Sequence, residues 1–312
     1  MISHIIIGAR IDNEILDLIQ SIRKYSVTNH EILVVTETLI EKSIQKDKDI
    51  KLIFTEKETG FATKVNKGFE HSTNSLIHVL TSKSRYVSSL KDIVIFYQKL
   101  GHEKPIILGS KLLLNNQGVN YVHKGYGDFP SMYSFFLKRI KSIFMLSLFL
   151  DKFKLFKKNN LLIKDDEQPS YINHNSESYV YGGNMFFNSV AFKLVNGLDE
   201  NFRLYYEEVD FQKRLLKHKV KIYTTNQILI SRIGGTYFNS NPQDRINRRV
   251  NRDIGFLMYL ERHQPFFYRV SIVLMIFLSI FEIFISLYRK TYSLADYKIL
   301  IGRIYEKACA KK

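Results

Sequence analysis

The stretch Gly182–Thr236 reads GGNMFFNSVAFKLVNGLDENFRLYYEEVDFQKRLLKHKVKIYTTNQILISRIGGT. Within it, an aromatic run leads directly into Glu207, Glu208 and Asp210, which stand at the start of a predicted helix. Carboxylates this close together raise one another's pKa, which moves one of them toward the working range of a general base. A structural explanation is also open. A helix dipole favours acids in the first turn, and Asp210 and Arg214 have the spacing of an i,i+4 ion pair.

The residues before this stretch alternate short β-branched runs with helical patterns. The strand candidates are Ile5–Ile7, Ile32–Val35, Leu52–Phe54, Leu76–Leu80 and Ile106–Leu108, and the helix candidates are Ile15–Ile22 and Thr63–Glu70. Strands that alternate with helices predict a doubly wound α/β layer. Ligands of such sheets bind at the carboxyl ends of the strands, so we expect this half of the chain to bind a nucleotide.

The composition of the chain restricts which classes of partner it is expected to bind. The chain has 312 residues, a net charge of +16 and a hydrophobic content of 45%, enough for one large domain or two small ones. The charge favours an anionic partner, and we expect a membrane surface rather than nucleic acid because the basic residues lie beside apolar segments. The single cysteine, Cys309, leaves no pair for a disulfide within the chain, which fits a reducing compartment.

Three segments carry a resemblance to family 2 glycosyltransferases. Gly197–Glu200, followed by the aromatic run into Glu207–Asp210 and then Arg214, resembles the acceptor-side motif of that family. Gly60–Gly68 is similar to its turn near the donor nucleotide, and the residues from Gly109 to Gly118 are similar to one of its hairpins. The resemblance covers residues 1–265 and points to the rhamnosyltransferase-like branch.

The resemblance implies a GT-A fold, in which a nucleotide-binding half and an acceptor half share one sheet. It implies an inverting transfer of sugar from a dTDP- or UDP-sugar, with Glu208 as the general base and Glu207 and Asp210 shaping its surroundings. The residues that it assigns to the donor nucleotide, its diphosphate and the sugar are Glu37, Gly60, Asn66, Lys83, Gly182 and Gly183.

The chain departs from the family pattern at the expected metal ligand. Where the family has an Asp that reaches the ion on the diphosphate, this chain has Lys83, and an ammonium group only donates. Three explanations are open: Lys83 replaces the metal, the donor site has decayed in a non-catalytic protein, or Lys83 is a solvated loop residue. We therefore assign no metal ligand and leave a requirement for Mg²⁺ or Mn²⁺ open. Ser231 likewise stands where the family often has a His.

Two segments mix apolar and basic residues. Phe135–Lys164 is typical of an interfacial amphipathic segment, and equally of a packed helix with a solvated basic face. Val270–Tyr288 approaches the length of a membrane span, but Glu282 at its middle disfavours a simple span. We expect a helix in the plane of a membrane, with a single span and a buried core helix as the alternatives. The arginines just upstream bind lipid phosphates or form a solvated helix face; they are Arg245, Arg248, Arg249 and Arg252.

These observations predict a GT-A domain over residues 1–265 and a helical tail over 266–312. The domain divides into a nucleotide-binding half (1–115), a basic and aromatic insertion (116–175) and an acceptor half (176–265). We expect transfer to a polyprenyl-diphosphate-linked saccharide in O-antigen or capsule synthesis, on the cytoplasmic face of a bacterial inner membrane. The alternative is an inactive scaffold in a polysaccharide assembly complex. Rhamnose, galactose and N-acetylhexosamines all remain open as the sugar.

Overall fold

The computed structural model describes residues 2–26, 29–38, 47–116, 119–148, 169–174, 177–233, 242–289 and 294–309. Its strands are β1 (Ile2–Ile7), β2 (His30–Thr36), β3 (Ile50–Phe54), β4 (Leu76–Thr81), β5 (Ser84–Tyr86), β6 (Ile106–Asn116), β7 (Val119–His123), β8 (Tyr126–Asp128), β9 (Tyr171–Asn173), β10 (Ser178–Val180), β11 (Asn184–Asn188) and β12 (Lys221–Ile233). Its helices are α1 (Asn13–Tyr25), α2 (Phe61–Glu70), α3 (Lys91–Leu100), α4 (Met132–Leu148), α5 (Ser189–Leu194), α6 (Glu207–Lys217), α7 (Pro242–His263), α8 (Pro265–Arg289) and α9 (Leu294–Cys309). Parts of three predicted features lie outside the described residues: the hairpin tip at 117–118, residues 149–164 of the basic and aromatic segment, and residues 234–236.

One mixed sheet has the strand order β3-β2-β1-β4-β11-β6-β12-β5, with β7 beside β6 and β9 beside β12. β1 runs parallel to β2 and β4, and β2 runs parallel to β3. β11 is antiparallel to both of its neighbours, β4 and β6, whereas β12 runs parallel to β6. The predicted α/β class is therefore confirmed as a mixed α/β fold built on a central mixed sheet.

Strand residues alternate between two cores, because successive side chains of a strand point to opposite faces of the sheet. In β1, Ile2 and Ile6 pack into the core that α1 and α3 cover. Ile5 and Ile7 pack into the core that α2, α5 and α6 cover. Burial on both faces explains the isoleucine-rich run that predicted this strand.

A chain of polar side chains runs through the core of the sheet. The Nδ1 atom of His4 lies 3.1 Å from the Tyr86 hydroxyl, which also hydrogen bonds to Nδ1 of His78. The Nε2 atom of His78 lies 3.2 Å from Oδ1 of Asn184, and the Asn184 amide donates to Oγ of Ser110 at 2.9 Å. Burial lowers the pKa of His4 well below its ordinary value and that of His78 to about 3, so both imidazoles are neutral near pH 7.

The observed ends of two helices differ from the predicted ends for local reasons. α2 begins at Phe61 rather than Thr63, because the Phe61 N–H bonds to the Arg203 carbonyl at 3.3 Å and Gly60 supplies an extended N-cap. α8 begins at Pro265, five residues before the predicted start, since a proline suits the first turn of a helix.

The chain divides into two compact units. Unit 1 comprises Met1–Phe129, Asn160–Arg203 and Glu207–Gly235 and contains the mixed sheet. Unit 2 comprises Pro130–Asn159, Leu204–Tyr206 and Thr236–Lys312 and contains α4, α7, α8 and α9. The boundaries predicted at residues 115, 175 and 265 stay predictions.

Unit 2 has its own core of buried side chains. They are Phe136, Ile246, Val250, Phe256, Leu257, Tyr259, Leu260, Met275, Leu278 and Ile304. One described helical stretch, Pro265–Ile283, is long and apolar enough to cross a membrane, with a mean hydropathy of 2.0 and 22% of the stretch buried. Less than a quarter of this stretch is therefore buried, although it is the most apolar helix of unit 2.

Two consecutive tyrosines adopt the left-handed backbone conformation directly before α6. Tyr205 and Tyr206 have φ angles of 70° and 71°, and such residues cost roughly 1–3 kcal/mol each unless the surroundings hold them. Within unit 2, the Tyr206 ring packs 5.8 Å from the Phe256 ring and 6.1 Å from the Tyr259 ring. A Cβ at Gly255 would lie 2.7 Å from the Tyr205 carbonyl oxygen, so a glycine is needed there for the two segments to meet.

Candidate active site

The topology of unit 1 gathers the ends of several strands at one edge of the sheet, called here the ligand edge. β1, β2, β4, β6 and β12 share one direction, so their carboxyl ends lie on the same side. Glu37 follows β2, Lys83 follows β4, and Arg232 lies at the end of β12. Gly182 and Gly183 come to the same edge because β11, which they precede, runs the opposite way. Ligands of open α/β sheets bind at this edge.

Gly182 and Gly183 lie between an acid and a cation. A Cβ at Gly182 would lie 3.1 Å from Cβ of Glu208, and a Cβ at Gly183 would lie 3.7 Å from Nη1 of Arg232. The Gly183 position is also close to Thr81, whose Cγ2 atom would be 3.2 Å away. Two adjacent glycines therefore keep the space between Glu208 and Arg232 free of side chains. That they admit a sugar stays a prediction.

Glu207 and Glu208 bring two buried carboxyl oxygens to the first turn of α6. Glu207 is 4% exposed, and in the described part of the chain the Oε2 atom of each glutamate is buried without a hydrogen-bond partner. Burial raises the pKa of Glu207 well above its ordinary value, and the neighbouring charge of Glu208 raises it further. Burial also raises the pKa of Glu208, opposed by the backbone N–H groups beside its carboxylate. Buried oxygens without a partner cost stability, which makes a functional role the better explanation.

Asp210 is fully buried and serves a different arrangement. The Arg214 guanidinium donates to Oδ2 of Asp210 at 2.8 Å, to the Val195 carbonyl and to the Gly197 carbonyl at 2.8 Å. The predicted i,i+4 ion pair is therefore present, and it holds the turn at Val195–Gly197. Whether Asp210 also acts in catalysis stays a prediction.

Asn66 is held by the loop before α6. Its side-chain oxygen accepts the Leu198 N–H at 3.0 Å, and its amide donates to the Leu198 carbonyl at 2.9 Å and to Glu200 at 2.8 Å. Gly60 is needed for the same loop, because a Cβ there would lie 2.9 Å from the Arg203 carbonyl oxygen. Both residues therefore brace the loop Gly197–Arg203, and their predicted contact with a nucleotide stays untested.

Glu37 faces a buried lysine at the ligand edge. Nζ of Lys64 lies 2.7 Å from Oε1 of Glu37 and donates to the Gly8 carbonyl at 3.2 Å. Lys64 is 5% exposed, and sequence reasoning missed it. Its neighbours Ala62 and Val65 on α2 belong to the buried apolar face, so a lysine within that face was the available signal.

Lys83 lies in the short turn between β4 and β5. The residue after it, Ser84, is the strand partner of Arg232, which places the two cations near one another at the ligand edge. Among the described residues, His, Cys, Asp and Glu side chains form no group of three that could hold a metal ion. Arg232 was also missed, because the prediction looked for a histidine at position 231.

The side chain of Gln212 links the first turn of α6 to β10, and Tyr181 directly follows β10. Both amide atoms of Gln212 bond to the backbone of Val180 at 2.8 Å, and its Nε2 atom also donates to the Glu208 carbonyl at 3.1 Å. Burial raises the pKa of Tyr181, and the negative charges of Glu208 and Asp128 raise it further. The ring of Tyr181 lies 5.2 Å from that of His123 and 5.6 Å from that of Tyr179. Tyr179, Tyr181 and His123 therefore form a partly exposed aromatic group, of which Tyr181 responds to the charge of Glu208.

No model of a known protein family matches the chain, and no curated protein matches it in sequence. Solved structures do match. A crystal structure of GalNAc-T7 with UDP, GalNAc and Mn²⁺ superposes with a TM-score of 0.55 at 8% identity, covering 83% of this chain and 47% of that one. S. aureus TarS superposes with a TM-score of 0.47 at 14% identity, covering 84% of this chain and 43% of that one. TarS 1–349 in complex with UDP gives 0.48 at 13%, covering 82% and 66%.

The chain thus spans less than half the length of GalNAc-T7 and of the longer TarS chain. At TM-scores below 0.5, the TarS structures are only loosely similar in shape. The superposition on GalNAc-T7 and the order of the strands lead to the same conclusion: this chain has a mixed α/β fold similar to that of GT-A glycosyltransferases.

Proposed function

We propose that the chain is an inverting glycosyltransferase of the family 2 type that uses a nucleotide-sugar donor. The observation that carries the proposal is the pair of buried carboxyl groups at the start of α6, Glu207 and Glu208, of which Glu208 borders Gly182 at the ligand edge. The fold similarity to GalNAc-T7, whose crystal structure holds UDP and GalNAc, supports the reaction class. The acidic motif after Gly197–Glu200 supports the family 2 type and its rhamnosyltransferase-like branch.

Glu208 acts as the general base in this proposal. The acceptor hydroxyl gives its proton to the Glu208 carboxylate while its oxygen forms a bond to C1 of the donor sugar. The bond between C1 and the phosphate oxygen breaks on the opposite face, and its electron pair leaves with the nucleoside diphosphate. Glu208 is preferred over Glu207 because its side chain borders Gly182, whereas Glu207 is only 4% exposed. Glu207 and Asp210 keep it in place.

The donor side takes a UDP- or dTDP-sugar and needs no metal in this proposal. A divalent ion prefers carboxylate oxygens, whereas the side chains near Gly183 and after β4 are Arg232 and Lys83. The described residues therefore do not fit a metal site, and in this proposal the cations take over the neutralisation of the diphosphate. Lys83 faces the diphosphate, and Glu37, Gly60 and Asn66 hold the nucleotide.

The acceptor side takes a lipid-linked saccharide. The aromatic group of Tyr179, Tyr181 and His123 supports a saccharide acceptor, because sugar rings pack their C–H faces on aromatic rings. The net charge of +16 supports work at an anionic membrane surface, the cytoplasmic face of a bacterial inner membrane. A polyprenyl diphosphate carrier in O-antigen or capsule synthesis meets both conditions.

The first test is a thermal-shift panel of the purified chain with UDP-, dTDP- and GDP-sugars, each with Mg²⁺ and with chelator. A ligand at 100 times its Kd adds about 2.7 kcal/mol, or about 5–10 °C for a chain of this size. We expect a shift with one nucleotide class that persists in chelator. A shift lost in chelator contradicts metal independence. No shift with any donor contradicts the transferase and favours the inactive scaffold.

The second test is Glu208→Gln. We expect transfer to fall about 100- to 10,000-fold while the nucleotide-dependent thermal shift survives, because the amide accepts no proton. Since burial raises the pKa of Glu208, the wild-type rate should fall with decreasing pH from above the ordinary glutamate range. Glu103→Gln is the matched control, because Glu103 is an exposed acid before β6, at the opposite edge of the sheet. Transfer at the wild-type rate in Glu208→Gln would remove the base assignment.

A further inference from the structure

α8 buries polar side chains and exposes apolar ones, the reverse of a helix on a water-facing surface. Its side toward the other helices of unit 2 carries Ser271 and Ser279, both fully buried, together with Glu282. Its other side carries a set of exposed apolar residues, of which Val273 and Phe277 are 67% and 64% exposed. The set, called here the α8 stripe, is Phe266, Val270, Val273, Phe277, Ile280 and Phe281.

The α8 stripe is continuous along one face of the helix. At about 100° per residue, its members fall within a sector roughly 100° wide, and they extend along roughly 22 Å of helix. The buried residues Ser271, Met275 and Ser279 fall on the opposite side of the same helix. The pattern is therefore a property of a whole face and not of scattered apolar residues.

A cluster of charges fixes which face of α8 points outward. Arg139 of α4 donates to Glu282 at 3.2 Å, to Ser279 at 2.9 Å and to Asp253 of α7 at 3.0 Å. Arg249 of α7 also bonds to Glu282. Rotating α8 to bury the stripe would strip these charges of their partners, and breaking a buried ion pair is strongly destabilising.

The surroundings that suit this face are the hydrocarbon boundary of a lipid bilayer. Arg269 is exposed directly before Val270 of the stripe, and Arg262 is exposed near the end of α7; the helix α9, which contacts α8, exposes Lys298 and Arg303. These cations complement anionic headgroups, whereas a second copy of a chain of net charge +16 would oppose cation to cation. α8 does not cross the bilayer, because its inner face packs on the charged helix α7.

We propose that the α8 stripe docks on an anionic bilayer, with α8 lying in the plane of the membrane and the charge cluster holding its polar face toward the protein. This arrangement explains why Glu282 lies in the middle of an apolar helix: it is an internal anchor and not an intramembrane charge. The inference is independent of the proposed sugar transfer, since it concerns unit 2 alone.

The test is cosedimentation of the full chain with vesicles of phosphatidylcholine that contain about 30% phosphatidylglycerol, which gives the vesicle surface a negative charge. We expect the double variant Val273→Ser with Phe277→Ser to lower the partition coefficient by at least about 10-fold, because both side chains leave the hydrocarbon boundary. The matched control is Phe54→Ser with Ile172→Ser, two side chains of unit 1 that are each 52% exposed. Its partition should equal that of the wild type.

Two results would overturn the docking proposal. One is equal vesicle binding by the stripe variant and the wild type. The other is a wild-type dimer in detergent-free solution that the stripe variant converts to monomer, with no vesicle binding by either, because a second copy would then be the occupant. Melting curves of both variants must remain cooperative, so that unfolding does not imitate lost binding.

The orientation of α8 has its own test, because Cys309 is the single cysteine of the chain and follows α8. With the chain bound to sealed vesicles, an impermeant maleimide added outside should label Cys309 as fully as it does after detergent is added. The same reagent should label an added cysteine in unit 1, Lys193→Cys. Protection of Cys309 with labelling of the unit 1 cysteine would mean that α8 spans the bilayer.

Discussion

At the scale of single residues, the site combines an acid and a cation on either side of two glycines. Glu208 borders Gly182, and Arg232 borders Gly183. Displacement at a sugar carbon needs negative charge where the acceptor proton leaves and positive charge where the diphosphate departs. In the proposed transfer, Glu208 at the start of α6 and Arg232 at the end of β12 meet these two needs.

Arg232→Met tests the cation. We expect it to weaken binding of UDP about 10- to 100-fold more than binding of UMP, because a charge-assisted hydrogen bond contributes about 1.5–3 kcal/mol and UMP lacks the second phosphate. Isothermal titration in chelator measures both affinities; dTDP and dTMP replace them if the donor is a dTDP-sugar. Lys221→Met, at the other end of the same strand, is the control. An unchanged ratio of UDP to UMP affinity excludes Arg232 from the diphosphate site.

The sequence predicted the acids of this site better than its cations. Glu207 and Glu208 were found because three carboxylates after an aromatic run are unusual at any helix start. Lys64 and Arg232 were missed because basic residues are common in a chain with 46 lysines and arginines. Lys64 differs from the other basic residues because it is buried against Glu37, and Arg232 differs because it lies close to Gly183. Both depend on contacts between segments far apart in sequence.

At the scale of elements, the strands beneath the ligand edge are joined by the neutral histidines His4 and His78. Their folded pKa values lie below the ordinary histidine value, so the unfolded chain binds more protons below about pH 6.5. Stability contributed by neutral histidines is therefore present above that pH and is lost as the pH falls. Glu207 and Glu208, with raised pKa values, act in the opposite sense.

His78→Asn should accordingly flatten the pH dependence of the free energy of unfolding. Each affected histidine contributes a slope of up to about 1.4 kcal/mol per pH unit between about pH 6.5 and its folded pKa, which is about 3 for His78. Urea unfolding between pH 7.5 and 5 measures the slope in wild type and variant. His71→Asn, at an exposed histidine, should keep the wild-type slope. Equal slopes in wild type and His78→Asn contradict the prediction.

Periodicity predicted β1 to β4, the start of β6, α1 and α2, but not how α8 is oriented. Alternation places Ile5 and Ile6 on opposite faces, which is enough to identify β1. For α8, the same kind of reasoning found an apolar helix interrupted by Glu282. It had no means of finding Arg139, the partner more than a hundred residues away that makes the interruption stable.

At the scale of the whole molecule, two units with separate cores should respond separately to damage. Arg139→Met removes a cation that pairs with the buried carboxylates of Asp253 and Glu282. We expect it to lower the free energy of unfolding of unit 2 by about 3–5 kcal/mol. Hydrogen exchange should accelerate in α7 and α8 while β1 and β4 keep their wild-type protection. Lys138→Met, at the exposed neighbouring position of α4, should change neither. Faster exchange throughout both units, or none in α7, contradicts this assignment.

The polar chain from His4 to Ser110 also bears on how this protein can evolve. Its members come from five strands of the sheet, spread between residues 4 and 184, and each hydrogen bonds to the next. Replacing His78 alone removes one buried partner from the Tyr86 hydroxyl, which keeps His4, and one from Oδ1 of Asn184, so single substitutions are disfavoured. Drift at these positions should therefore be concerted. Diverged descendants should either retain the set or exchange it together for hydrocarbon side chains, which makes joint inheritance of these positions a marker of common ancestry.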